Sequence, residues 1–128
     1  MIFIIGGSYQ GKCDFAKVKF GLKDSDLFVC EGDSVDLSAR AIAHIERFAL
    51  SCVQKGEEPK AFWAAHRADL EDKILIADDV SCGVVPIEPN DENWREAVGR
   101  LCCALASEAD AVIRVWAGVP QFIKGELK

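Results

Sequence analysis

The first thirteen residues constrain the fold more than any other stretch of this chain. Ile2-Phe3-Ile4-Ile5 is a short, wholly apolar run rich in β-branched residues, and it ends in Gly6-Gly7-Ser8-Tyr9-Gln10-Gly11-Lys12-Cys13. An unbroken apolar run of strand length, stopped by glycines, is the pattern of a strand buried on both faces, and that implies a central place in a parallel sheet. The glycine segment fits G-x-x-x-x-G-K-[ST] at each fixed position except the last, where Cys13 replaces a hydroxyl residue. It lies where that motif must lie, between a buried strand and a helix expected from Lys12 to Gly21. Glycines let backbone N–H groups curl around a phosphate, a helix N-terminus adds partial positive charge, and Lys12 reaches the outer phosphates. The residues expected to contact a nucleotide are therefore Gly6, Gly7, Ser8, Tyr9, Gln10, Gly11, Lys12 and Cys13.

Strand and helix patterns alternate through the rest of the chain. Asp26 to Cys30 reads as a second buried strand, with a turn through Glu31-Gly32-Asp33 just past its end. Ser34 to Val53 spaces Leu37, Ala41, Ile45, Phe48, Ala49 and Cys52 by three or four, which predicts one amphipathic helix. Pro59 to Asp72 is expected to form another helix, packed less deeply. Lys73 to Ala77 reads as a third buried strand running into Asp78-Asp79. A long apolar loop through Pro89 follows, and then a helix capped by Asn90 or Asp91 that turns Trp94, Val98, Leu101, Cys102 and Leu105 inward. A last strand from Asp110 to Trp116 and an apolar tail after Gly118-Val119-Pro120 complete the pattern. It predicts an α/β fold of the P-loop nucleoside-triphosphatase kind, a mainly parallel sheet with helices on both faces, in a single nucleotide-binding domain over residues 1–128. The ligand crevice of such a sheet lies outside the carboxyl ends of the strands, where the glycine loop, Glu31 and Asp78-Asp79 all emerge.

Composition narrows the function. A length of 128 residues allows one core, and the net charge of −6 argues against a nucleic-acid partner, which would need clustered Lys and Arg. Gly6-Gly7 and Lys12 interrupt the apolar start, so neither a signal peptide nor a membrane span is expected there, and the chain is read as cytoplasmic. Cys13, Cys30, Cys52, Cys82, Cys102 and Cys103 include no C-x-x-C pair, so a zinc site is not expected. His44 and His66 read as helix-surface residues, and Trp63, Trp94 and Trp116 as core or subunit-contact residues. Phosphoryl transfer calls for a carboxylate at a neighbouring strand end to hold magnesium. Glu31, Asp33, Asp78 and Asp79 are the candidates, with Glu31 and Asp79 preferred as a pair. Lys12, Glu31 and Asp79 are thus the expected catalytic residues, and Cys13, Glu31 and Asp79 the expected metal ligands. A neutral thiol at Cys13 is a poor ligand for that hard cation. A lowered thiol pKa beside Lys12 would instead make Cys13 a nucleophile.

Three stretches resemble the adenosylcobinamide kinase and adenosylcobinamide-phosphate guanylyltransferase family. They are the opening strand with Gly6-Gly7 through Gly11-Lys12; Asp78-Asp79-Val80-Ser81-Cys82-Gly83-Val84-Val85-Pro86, similar to N-E-V-G-x-G-I-V-P; and Gly99-Arg100-Leu101 through Asp110, with Gly118-Val119-Pro120 to Lys124. The resemblance implies GTP or ATP with magnesium, a cobinamide-type small molecule as second substrate, and a homotrimer. It also implies a histidine that becomes guanylylated, but no histidine precedes His44 and the segment that carries it is missing, so guanylyltransferase activity is not expected. The family's acidic residue on the second strand aligns with Cys30 or Glu31. The leading expectation is a nucleotide-binding, kinase-like core of cobalamin biosynthesis; the alternative is a non-catalytic binding or regulatory module.

Overall fold

The structure, a computed structural model, describes residues 1–7, 10–80 and 89–125. Its centre is β1 (Ile2–Gly6), which runs parallel to β4 (Ile74–Asp78) on one side and β5 (Ala111–Trp116) on the other. The register pairs Ile2 with Ile74 and Gly6 with Asp78, so the glycine that ends β1 lies level with the acid that ends β4. Beyond β4 come β3 (Ala41–Ala43) and the edge strand β2 (Leu27–Val29), both parallel. Beyond β5 lies β6 (Val119–Lys124), the one antiparallel member, which closes the order β2-β3-β4-β1-β5-β6 among the described residues.

Alternation along these strands divides the core into two layers. Phe3, Ile42, Leu75, Ala77 and Val112 face one side, where α2 (Ile45–Gln54), α3 (Pro59–Ala65) and α4 (Pro89–Glu108) cover them with Ile45, Phe48, Cys52, Trp63, Val98 and Leu101. Ile4, Ala41, Ala43, Ile76, Ile113 and Val115 face the other side, against Ala16 of α1 (Lys12–Phe20) and Leu22. The expected fold class, a mainly parallel α/β sheet with helices on both faces, is the observed one. Because a two-sided strand must be apolar at every position, β1 and β4 are visible as continuous runs. The helix α1 is held by a glycine at each end, Gly11 at φ 84° and Gly21 at φ 63°, with the Gly21 N–H bonded to the Lys17 carbonyl.

Three expectations are corrected. The single helix over residues 34–53 is instead β3 followed by α2: three residues of strand, Ala-Ile-Ala, are too short to show a period of two against the helical spacing around them. The strand over residues 26–30 is not buried on both faces but is an edge strand with Val29 exposed. The tail after Gly118 is a sixth strand, β6, exposed along its whole length. Prolines on edge strands discourage further strand pairing, and Pro120 supplies no N–H to this edge. No helix among the described residues is long and apolar enough to cross a membrane.

Candidate functional site

At the carboxyl end of β1, β3 and β4 a cleft of about 310 Å³ is lined by Gln10, Gly11, Lys12, Cys13, Asp14, His44, Arg47, Ile76 and Asp78. Its glycines serve close approach. A Cβ on Gly6 would lie 2.3 Å from the Val115 carbonyl oxygen, which is backbone and cannot give way. The turn between β5 and β6 then packs onto the loop itself: the Gly118 N–H donates to the Gln10 carbonyl at 2.8 Å, and the Ala117 N–H donates to Gln10 Oε1 at 2.6 Å.

Lys12 is 6% exposed. Its ammonium donates to the Gly7 carbonyl at 2.6 Å and lies 2.6 Å from Asp78 Oδ1. A buried cation needs such partners, and here the protein's own oxygens supply them. Asp78 connects to a second group, since its N–H donates to Glu46 Oε1 at 2.7 Å while Glu46 Oε2 lies 3.2 Å from His44 Nδ1. Glu46 is 3% exposed, and burial, opposed by the N–H bond from Asp78, raises its carboxyl pKa above the ordinary value. Trp94 of α4 donates its indole N–H to the Glu46 carbonyl at 2.7 Å and so pins the first turn of α2.

Residues 45–123 match the family model for cobinamide kinase / cobinamide phosphate guanyltransferase. The chain belongs to this family. The match covers more than half of the chain, from the start of α2 nearly to the end of β6, and the glycine loop, α1 and His44 lie before it. A comparison with curated proteins gave no match.

The structure places the expected site residues of this family member unevenly. Gln10, Gly11, Lys12 and Cys13 line the cleft together, Gly6 and Gly7 lead into it, and Ser8, Tyr9 and Cys82 lie outside the described residues. Asp78 lines the cleft and Asp79 does not. Alternation sends Asp79 to the α4 side, where its charge helps to raise the Cys102 thiol, after burial, to about 12. Glu31 is exposed on the turn after β2, while Cys30 is buried, its thiol pushed up to about 12 by burial. The Asp33 carboxylate pairs with Lys55 at 2.7 Å.

Cys13 is corrected as a nucleophile: burial raises its thiol above 9.0, outweighing Lys12 and Lys17, which pull it down. Magnesium asks for hard oxygen ligands. Of Cys13, Glu31 and Asp79 only Cys13 reaches the cleft, and it brings a neutral thiol, so these three do not compose a magnesium site in this arrangement. His44, Glu46 and Asp78 bring one polar atom each within 4.8 Å of one another, but they already engage one another and Lys12 as a hydrogen-bonded network.

Sequence reasoning passed over His44, Glu46 and Arg47. His44 is not a helix-surface residue: it precedes α2 in left-handed conformation, φ 56° and ψ 44°, at the end of β3. Reading Ala41-Ile42-Ala43 as a strand would have put A-H-I-E-R at the carboxyl edge of the sheet, the signal that the helical spacing concealed.

Proposed function

We propose that the chain binds a nucleoside triphosphate, GTP or ATP, through the loop between β1 and α1, and that it acts as a cobinamide kinase in cobalamin biosynthesis without the guanylyl-transfer half. The observation that carries this reading is a buried lysine at the start of the helix after the central parallel strand, facing a cleft, in a chain of the cobinamide kinase family. Backbone N–H groups of the loop and the start of α1 offer an anion its donors, and Lys12 offers it a charge. A second reading, a nucleotide sensor without transfer, is favoured by one observation: Lys12 is already paired with Asp78, and Cys13 stands where a hydroxyl would ligate the metal.

Calorimetric titration with GTP, ATP and GMP, each with and without magnesium, tests both. Triphosphate binding that Lys12→Ala abolishes supports the loop as the site. Magnesium dependence together with phosphate transfer to cobinamide supports the kinase. Binding indifferent to magnesium, without transfer, supports the sensor, and no binding at about millimolar ligand, a free energy near −4 kcal/mol, rejects both.

A further inference from the structure

Outside the glycine loop, His44 is the cleft residue with left-handed backbone. Left-handed backbone is uncommon outside glycine, histidine being with Asn and Asp among the residues that adopt it more often, and residues in this conformation gather at functional sites. The conformation turns the chain from β3 directly into α2 and leaves the imidazole lining the cleft with Lys12, Gln10 and Arg47. Its Nδ1 meets Glu46 Oε2 at 3.2 Å. Glu46 is fixed in turn by the Asp78 N–H on Oε1 and by the Trp94 indole on its backbone carbonyl. Toward an ionised Glu46 carboxylate, which only accepts, Nδ1 would carry the ring proton and Nε2 keep its lone pair. Nε2 has no partner among the described residues.

We propose that Glu46 sets the tautomer of His44 so that Nε2 accepts the proton of a substrate hydroxyl in the cleft, an inference that rests on the kinase reading above. As the hydroxyl oxygen bonds to the terminal phosphorus of the triphosphate, the bond from that phosphorus to the bridging oxygen breaks. Its electron pair leaves on the nucleoside diphosphate, the hydroxyl proton passes to Nε2, and Glu46 balances the imidazolium that forms. His44 is then a catalytic residue and Glu46 a positioning residue. The charged or titratable groups around His44 are Lys12, Cys13 and Asp14 of α1, Glu46 and Arg47 of α2, and Asp78 of β4.

Long-range ¹H–¹⁵N spectra of the native protein read the tautomer directly, because the chain has two histidines. His66, whose Nδ1 lies 2.9 Å from the Phe62 carbonyl, is the internal reference. The expected result is Nδ1–H on His44, replaced by Nε2–H in Glu46→Gln, whose amide can donate to Nδ1, with His66 unchanged. Nε2–H in the native protein overturns the proposal. In transfer assays His44→Asn, which suits the left-handed backbone, is expected to lose about 10²-fold in kcat with far less change in the nucleotide KM. Glu46→Gln should lose the acidic limb of the pH–rate profile, and added imidazole should restore part of the activity of His44→Gly. A native chain that binds triphosphate while His44→Asn transfers at the native rate overturns the assignment of His44 alone. A native chain that binds no triphosphate overturns the kinase reading and this step with it.

Discussion

Asp78 is where single-residue chemistry in this cleft is most finely balanced. Its carboxylate lies 2.6 Å from the Lys12 ammonium, so an incoming phosphate must take Lys12 away from a partner it already has. Charge-assisted hydrogen bonds are roughly twice as strong as neutral ones. Removing the charge of Asp78 while keeping its shape therefore makes Lys12 a freer donor. Asp78→Asn is expected to bind GTP in the absence of magnesium on the order of 10-fold more tightly, about 1.4 kcal/mol. Titration in the presence of a chelator measures this, and equal or weaker affinity would show that Asp78 does not compete for Lys12. That the sequence put weight on Asp79 rather than Asp78 has a simple cause. Adjacent residues at a strand end point to opposite faces, and which face carries α1 and the glycine loop is decided by packing, not by the dipeptide.

At the scale of elements, the glycine loop is not a free-standing turn, because the hairpin of β5 and β6 leans on it. Gln10 links them through two bonds of different kinds, backbone oxygen to Gly118 and side-chain oxygen to Ala117. Gln10→Ala removes the second bond and leaves the first. Amide exchange should therefore accelerate at Ala117 by a factor of about 5, the equivalent of about 1 kcal/mol for one hydrogen bond, while Gly118 changes much less. Equal acceleration at both would mean that the turn opens as a unit and that the side chain is not its latch. Nothing local could have announced this contact, since Gln10 and Ala117 are separated by 107 positions. The strands β1 and β4 were legible because burial on two faces leaves no polar position. By contrast β3 and β6 depend on neighbouring strands to supply their hydrogen bonds.

Buried acids and thiols give the whole molecule a stability that changes with pH. Glu46 has a raised pKa in the folded state, so its contribution is full below the unfolded value of 4.5 and is lost as pH rises through the folded pKa. Urea midpoints of the native protein and Glu46→Gln should therefore diverge as pH rises above the unfolded value of 4.5, with the native protein losing ground. The exposed acids Asp24, Asp33, Asp36 and Asp110 are held low chiefly by hydrogen bonds from Lys17, Lys55, Ser38 and the N-terminus. They act in the opposite sense in both proteins and cancel from the comparison. Parallel pH curves would show that Glu46 titrates alike in the folded and unfolded chain. By itself the sequence determined the central strand, the glycine loop, the α/β class and the family, because those are written in short, continuous stretches whose chemistry is local. Only the tertiary structure decided that Asp78 and not Asp79 faces Lys12, that His44 lines the cleft against Glu46, and that Gln10 holds the far hairpin. Those outcomes depend on which strands become neighbours and which face each side chain takes, and an isolated segment of chain carries neither.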